Sequence, residues 1–423
     1  MRNRIPILAL LAANAISTVG NVVTLVAIPW FVLETTGSPA MAGVTAFFSA
    51  VAAIPAAFFG GVIVDRLGHK RASVISDVLS GVTVALIPLL YVTVGLEFWH
   101  LLALVFLGAL LDAPGSTARA AIVPELSEMA SMRLEKANAA AQAVFQASFL
   151  LGAPLGGVLV AAMGAANVLW LNAVTFALSA GMVGLLVPLV KLAAAVEEER
   201  GTYMGDLKAG LKFIASSRLL VTLVVTVMIT NFLDSPMFSV VMPVYARDIL
   251  GSSVDLGLIM GGFGAGAFAG AVLYGVLGHR FSRRATFVLA FVGMAIPLWV
   301  LVALPGQPIV TLGAIVTGVA AGPINPLIRT VIQERVPPMM RARILGTVSA
   351  GAYIAAPLSM ALSGWVIEWI GLRATLFIYA ASYLVLTLVL QFNPAVREMN
   401  VPGPFAQKSG GPSTRPQAGA VGA

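Results

Sequence analysis

The chain has 423 residues, of which 59% are hydrophobic and only 10% are charged, and its formal net charge is +7. A soluble domain is about 45–50% apolar and about 25% charged, so this composition excludes an ordinary soluble protein. The absence of cysteine excludes disulfides, thiolate zinc sites and iron–sulfur clusters. Because one crossing of a bilayer takes about 20 apolar residues, the chain is predicted to contain many membrane-spanning helices.

Twelve apolar segments follow one another along the chain, each long enough to cross a bilayer as a helix. Their apolar runs are continuous rather than alternating, which favours helices over membrane-spanning strands. The predicted spans are residues 7–33, 40–64, 73–95, 99–120, 138–163, 167–190, 218–246, 254–278, 285–304, 308–330, 344–367 and 373–391.

The basic residues are distributed unevenly between the two sides of these spans. If both termini lie on one side, 23 of the 25 Lys and Arg residues fall on that side, and only Arg247 and Arg373 fall on the other. Basic loops stay in the cytoplasm, so both termini are predicted to be cytoplasmic in a multi-pass protein of the plasma or inner cell membrane. This topology accounts for the positive charge without a nucleic-acid partner.

The middle of the chain separates two groups of six spans. It is rich in charge, and Leu207, Leu211 and Ile214 recur there at helical spacing, which predicts an amphipathic helix on the cytoplasmic membrane surface. The end of the chain is rich in Gly, Pro, Ser and Gln, a composition that predicts disorder. The predicted domains are an N-terminal six-helix bundle (1–190), a cytoplasmic linker (191–217), a C-terminal six-helix bundle (218–391) and a disordered cytoplasmic tail (392–423).

The two halves resemble each other in sequence. The segment from Gly61 to Arg71 at the end of span 2 recurs in degenerate form from Gly275 to Arg284 at the end of span 8, at an offset of 214 residues. Such six-helix repeats are typical of transporters whose binding sites lie where the halves meet. The predicted fold class is therefore an all-α membrane protein with twelve transmembrane helices in two pseudo-symmetric six-helix bundles.

The segment Gly61-Val-Ile-Val-Asp65-Arg66-Leu-Gly68-His69-Lys70-Arg71 resembles the loop 2–3 signature of the major facilitator superfamily. The resemblance covers residues 5–391 and implies the major facilitator fold. Finer features, among them Asp112-Ala-Pro114, resemble the drug:proton antiporter branch that includes macrolide-efflux proteins and the enterobactin exporter. The run Gly152-Ala153-Pro154-Leu155-Gly156-Gly157 in span 5 departs from the antiporter motif because its proline is displaced by one position.

The resemblance implies that the loop 2–3 signature is a latch that holds the outward-facing state. Asp65 would pair with a guanidinium group or a helix N-terminus, and Asp77 in span 3 could accept a bond from Arg66 or Arg71. The alternative is that these basic residues only fix the topology. The predicted gating residues are Gly61, Asp65, Arg66, Gly68, Lys70, Arg71 and Asp77, together with Arg280, Arg283 and Arg284 of loop 8–9.

Acidic residues inside membrane spans are costly and are functional candidates for that reason. Asp234 lies deep in span 7 without an obvious basic partner, and we predict that it couples proton movement to transport by binding a proton on one side and releasing it on the other. Asp112 in span 4 is the second candidate for this role. The alternatives are that Asp234 lies in the outer vestibule or caps a break before Pro236, and that Asp112 makes a structural pair.

Amide side chains supply the candidate substrate contacts. In the superfamily that the chain resembles, spans 1, 4, 7 and 10 line the central cavity. The candidates are Asn14, Asn21, Asn231 and Asn325 on these spans, and Gln142 and Gln146 on span 5. The alternative for each amide is a hydrogen bond between helices. Gly262, Gly266 and Gly270, which recur every four residues inside span 8, predict close helix packing rather than a dinucleotide site.

The combined features predict a proton-coupled exporter of amphiphilic small molecules that works by alternating access. The proton gradient would supply the energy without a cofactor. The sequence has no Walker lysine motif and no spacing typical of a metal site or catalytic triad, so an enzyme is not expected. The expected partners are the lipid bilayer and a small-molecule substrate, and the expected functional unit is a monomer. The alternatives are a facilitator-type importer of a small metabolite and a non-transporting membrane scaffold or sensor.

Overall fold

The computed structural model describes residues 4–189, 203–401 and 403–405, and its regular secondary structure within these ranges is entirely helical. Eleven helices are long and apolar enough to cross a membrane, and the apolar segment Ala355–Ile370 of a further helix is shorter. Together they give the twelve spans, TM1–TM12, and confirm the predicted fold class.

The first half consists of TM1 to TM6, and two of its helices are interrupted. The bounds are TM1 (Ile5–Thr36), TM2 (Pro39–Val51 followed by Ala53–Leu67), TM3 (His69–Thr93), TM4 (Phe98–Ala121 followed by Val123–Met129), TM5 (Leu134–Met163) and TM6 (Ala165–Leu186).

The second half consists of TM7 to TM12. TM7 begins as Arg218–Pro236 and continues through the π-helical segments Met237–Val241 and Ala246–Leu250, which flank Met242–Tyr245. The remaining bounds are TM8 (Ser253–Leu277), TM9 (Arg283–Leu301), TM10 (Gln307–Ala321 followed by Ile324–Arg335), TM11 (Arg341–Ile370) and TM12 (Leu372–Phe392).

The sequence repeat extends to the turns that join TM1 to TM2 and TM7 to TM8. Gly37 and Gly251 end TM1 and TM7 in the left-handed region, with φ of 71° and 70°. Ser38 and Ser252 follow these glycines and cap TM2 and TM8. The side chain of each serine accepts a hydrogen bond from the backbone N–H three residues later in the chain. Gly251 and Ser252 follow Gly37 and Ser38 by 214 residues, the offset that relates the two signature loops.

The halves meet where TM2 packs on TM11 and where TM5 packs on TM8. Glycines allow both approaches: a Cβ at Gly43 of TM2 would lie 2.6 Å from the carbonyl oxygen of Met360, and a Cβ at Gly257 of TM8 would lie 2.6 Å from that of Ala153. Gly257 follows Gly43 by 214 residues, so the repeat also places the two contacts between the halves. Small residues at such contacts are what close packing of membrane helices requires.

The predicted role of Gly262, Gly266 and Gly270 in helix packing is confirmed. A Cβ at Gly266 would overlap the backbone of Ile315 on TM10, and one at Gly270 would overlap that of Val319. The three glycines therefore form the face of TM8 that seats TM10.

Within the predicted linker, the structure has a helix at Tyr203–Ala215 that contacts TM11. Ile214 is buried in the main hydrophobic core, whereas Leu211 is half exposed. Residues 191–202 lie outside the described residues.

The prediction of a disordered tail from residue 392 is wrong for its first residues. The short helices Pro394–Arg397 and Glu398–Asn400 follow TM12, and Asn393 caps the first by accepting the N–H of Ala395 at 2.9 Å. Val396 and Met399 are fully buried in the main core, which is why a segment of unremarkable composition is held in place. Residues 406–423 lie outside the described residues.

Candidate functional site

Hydrogen bonds join the two halves at the end of the bundle where TM1 ends and TM2 begins. This end is called the distal end because it lies opposite the loops that carry most of the basic residues. The Ser38 hydroxyl donates to Glu368 Oε2 of TM11 at 2.6 Å, and the Ala40 N–H donates to the same oxygen at 3.1 Å. Arg247 of TM7 donates to the carbonyl oxygen of Leu33 at 2.5 Å, and Ser253 Oγ of TM8 donates to that of Gly157 at 3.0 Å. These bonds tie TM1 to TM7, TM2 to TM11 and TM5 to TM8, so the bundle is closed at this end.

At the opposite, basic end of the bundle, where TM2 ends and TM3 begins, the predicted latch residues are not joined by such bonds among the described residues. The side chains of Asp65, Arg66 and Arg71 are exposed, and none has a hydrogen bond or ion pair with another described residue. Among the residues that the structure describes, the predicted latch residues therefore have no bonded partner, and the role of the latch stays a prediction.

The predicted pairing of Asp77 with Arg66 or Arg71 is wrong. Asp77 of TM3 instead pairs with Arg119 of TM4, with 2.7 Å between Oδ1 and Nη1, and both side chains are buried. The Ser179 hydroxyl of TM6 donates to the other carboxylate oxygen at 2.6 Å, and Arg119 Nε donates to Asn14 Oδ1 of TM1 at 3.2 Å. Asp77 lies too deep for the loop arginines, and the partners that satisfy it join four helices of the first half.

Asp112 of TM4 lies close to this network and has a different environment. Asn21 of TM1 donates its amide to Asp112 Oδ2 at 3.0 Å. The other carboxylate oxygen is buried and has no hydrogen-bond partner among the described residues. The predicted cavity amide Asn21 and the predicted coupling acid Asp112 are therefore in direct contact.

A cavity of about 320 Å³ opens beside this pair. Its walls are mostly apolar, with Leu25, Ile28 and Phe176 among them, and none of the described lining residues is Lys or Arg. Asp112 is the one acid among those residues. The other polar side chains at the wall are Asn21, Thr24, Thr45, Ser49, Asn172 and Ser239.

Asn172 was not predicted from the sequence. It lies on TM6, which is not among the spans that the family resemblance places at the cavity, and its amide donates to Thr24 Oγ1 at 2.6 Å. The available sequence signal was an amide near the middle of a long apolar span. Gly20 of TM1 leaves room for this amide, since a Cβ there would overlap Asn172 and Thr175.

Asp234 lies in TM7 and is not among the described residues that line this cavity. The Tyr383 hydroxyl of TM12 donates to Asp234 Oδ1, and no basic side chain pairs with the carboxylate among the described residues. Tyr383 itself is buried, and sequence reasoning missed it because a tyrosine in an apolar span carries no distinctive pattern.

The remaining predicted cavity amides are not gathered at this site. Asn231 donates to the carbonyl oxygen of Val227 one turn earlier in its own helix, at 2.8 Å. Asn325, Gln142 and Gln146 are exposed and lie outside the described cavity wall.

Of the three predicted gating arginines in loop 8–9, two have bonded partners among the described residues and one does not. Arg283 makes a two-pronged ion pair with Glu334 of TM10, each N···O distance being 2.7 Å. Arg284 donates to the carbonyl oxygen of Gln391 at 2.8 Å. Arg280 is exposed and has no hydrogen bond or ion pair with another described residue.

Comparison with known proteins gives one family. The model of the Major Facilitator Superfamily matches residues 10–254 and 224–412. The chain is 32% identical to the multidrug efflux pump Tap of Mycolicibacterium fortuitum over 403 residues, which covers 94% of this chain and 97% of that protein. It is also 32% identical to Tap of Mycobacterium tuberculosis (strain ATCC 25618 / H37Rv) over 407 residues, or 94% of this chain and 96% of the other.

Solved transporter structures share the fold. The nucleoside transporter NupG superposes with a TM-score of 0.76 at 14% identity, covering 91% of this chain and 98% of NupG. A D-xylose-proton symporter superposes with a TM-score of 0.66 at 16% identity, covering 93% of this chain and 99% of the symporter.

Proposed function

The chain belongs to the major facilitator superfamily of membrane transporters, and we propose that it exports amphiphilic small molecules in exchange for protons. The curated relatives at 32% identity are named multidrug efflux pumps, which favours export of several compounds over uptake of one nutrient.

The observation that carries the proposal is the chemistry of the cavity wall. Apolar side chains provide most of the surface, and a few hydroxyls and amides provide limited directional bonding. The carboxylate of Asp112 would attract a positive charge on the substrate, and the lack of Lys and Arg among the described wall residues disfavours anions. Lipophilic cations are therefore the proposed substrate class.

Alternating access fits the arrangement of the two ends. If both termini are cytoplasmic, as the basic loops predict, the closed distal end faces outward and the conformation is inward-facing. A cytoplasmic compound would enter from the basic end and would leave after the distal contacts open. The protein would reside in the cell membrane and act as a monomer, because each chain contains both halves.

The proposed coupling uses Asp234 and Asp112, two carboxyl groups within the spans that have no ion pair with a described residue. Asp234, held by the Tyr383 hydroxyl, would bind and release a proton as access alternates. Asp112 would bind either a proton or the cationic group of the substrate, so the two would compete at one site. The proton gradient supplies the energy in this scheme, and the chain needs no cofactor.

A whole-cell assay tests the proposal. A pump-deficient bacterium expressing the protein is loaded with a fluorescent lipophilic cation, and efflux is followed with and without a protonophore. We expect efflux that the protonophore stops. If protein shown to be in the membrane gives no efflux of cationic or neutral amphiphiles, the proposal is wrong and a narrow-substrate carrier or a scaffold becomes the better reading.

A further inference from the structure

We propose that the groove between TM8 and TM9 is a binding site for an anionic glycerophospholipid, with the headgroup phosphate at Arg280. The proposal concerns the membrane-facing surface of the second half and does not depend on the substrate class proposed above.

The groove exists because TM8 and TM9 both pack on TM10 rather than on each other. Its volume is about 280 Å³. Val319 and Ala320 of TM10 form the floor, next to the break in that helix. Leu273 of TM8 and Leu289 of TM9 form the walls, and both are at least half exposed.

An acyl chain fits the chemistry of this groove. Its lining is almost wholly apolar, and in a membrane span an open apolar groove on the protein surface is filled by lipid. Phe281, which lines the groove and is 60% exposed, lies in the short connection between TM8 and TM9. Aromatic side chains favour the interface between membrane and water.

The charge at the mouth of the groove identifies the headgroup. Arg280 lies between two lining residues, Gly278 and Phe281, and is exposed. Its neighbours Arg283 and Arg284 are held by Glu334 and by the Gln391 carbonyl oxygen, but Arg280 has no hydrogen bond or ion pair with another described residue. Within the described part of the chain, Arg280 is therefore an unpaired cation at the open end of an apolar groove.

The net charge at the mouth favours an anion over a zwitterion. The N-terminus of TM9 adds no binding group there, because the Arg284 N–H donates to Asn400 Oδ1 at 3.0 Å and the Ala285 N–H donates to Ser282 Oγ at 3.2 Å. Basic groups between membrane helices at the cytoplasmic side bind acidic headgroups, so Arg280 selects an anionic lipid over a zwitterionic one.

Lipid titration of the purified protein tests the site. The full chain is titrated with phosphatidylglycerol or with phosphatidylcholine of the same acyl chains, and bound lipid is counted by native mass spectrometry. The variants are Arg280→Gln, Leu273→Gln and the control Arg133→Gln, an exposed basic-end arginine in the other half. Gel filtration and thermal unfolding establish that each variant is folded.

We expect tighter binding of phosphatidylglycerol than of phosphatidylcholine by the wild-type protein. Arg280→Gln should weaken the phosphatidylglycerol affinity about fivefold, which is the contribution of one basic residue near a membrane surface. It should weaken the phosphatidylcholine affinity less, because the choline ammonium offsets the charge of the phosphate. Leu273→Gln should weaken both lipids, and Arg133→Gln neither.

Two results would overturn the proposal. One is equal affinity of the folded wild-type protein for the two lipids. The other is a phosphatidylglycerol affinity that Arg280→Gln and Arg133→Gln change to the same extent.

Discussion

Gly257 of TM8 lies against Gly157 of TM5, so close that a Cβ on Gly257 would be 3.1 Å from the Gly157 Cα atom. Its repeat counterpart Gly43 makes the same kind of contact with TM11 at Gly364. The distal end therefore closes through two backbone contacts that only glycine permits, reinforced by the hydrogen bonds of Glu368 and Arg247.

Gly257→Val should prevent the distal end from closing, because its side chain would occupy the position of the TM5 backbone. The chain has no cysteine, so a single Ser49→Cys in the cavity wall can report access. We expect faster labelling of this cysteine by a membrane-impermeant maleimide added from outside. Gly264→Val is the matched control, since a Cβ at Gly264 meets nothing within 4 Å. Equal labelling of the two variants would contradict the account of the gate.

Glu368→Gln should weaken the same gate without blocking it. Bonds to a charged acceptor contribute about 1.5–3 kcal/mol when sheltered, but the Ser38 partner is exposed, so the expected loss is about 1 kcal/mol. Labelling of Ser49→Cys from outside should rise about fivefold. Glu34→Gln serves as control, because Glu34 accepts its bond from Trp30 within TM1 and joins no helices of different halves. A labelling rate unchanged by Glu368→Gln would remove Glu368 from the gate.

Asp77→Asn should destabilise the first half, because it leaves the Arg119 guanidinium buried without its counter-charge. Removal of one partner of a buried pair costs about 3–5 kcal/mol. We expect a clear fall in the midpoint of thermal unfolding in detergent, and a smaller fall in the double variant Asp77→Asn/Arg119→Gln. Arg66→Gln and Arg71→Gln should leave the midpoint unchanged. A larger effect from either loop arginine than from Asp77 would restore the pairing that the sequence predicts.

Met399→Ala should destabilise the second half, although the residue follows the last span. Met399 is fully buried in the core, and a buried Met→Ala change costs about 2–5 kcal/mol. Val401→Ala, two residues onward, should have little effect because Val401 is 61% exposed. Thermal unfolding compares the two, and equal midpoints would mean that the ordered start of the tail does not contribute to stability.

The spans, the repeat and the glycine face of TM8 could be predicted because hydropathy, charge alternation and residue spacing are local signals. The contact between Asn21 and Asp112 was only partly predictable: each residue was a candidate, but nothing in the sequence places them together. The pairing of Asp77 with Arg119 was missed because depth within a bundle depends on how helices tilt and pack. Order in residues 394–400 was missed because composition does not reveal that Val396 and Met399 find a core.

The most direct test of coupled export uses purified protein in liposomes loaded with a fluorescent lipophilic cation, with an imposed pH gradient as the only source of energy. The account predicts that the gradient drives dye against its concentration, that collapse of the gradient stops this movement, and that Asp112→Asn and Asp234→Asn abolish the gradient-driven component. Asp255→Asn, at the first turn of TM8, is the control and should behave as wild type. Movement of dye against its concentration gradient that is equal with and without the pH gradient, or unchanged in both aspartate variants, would contradict proton-coupled export through these carboxyl groups.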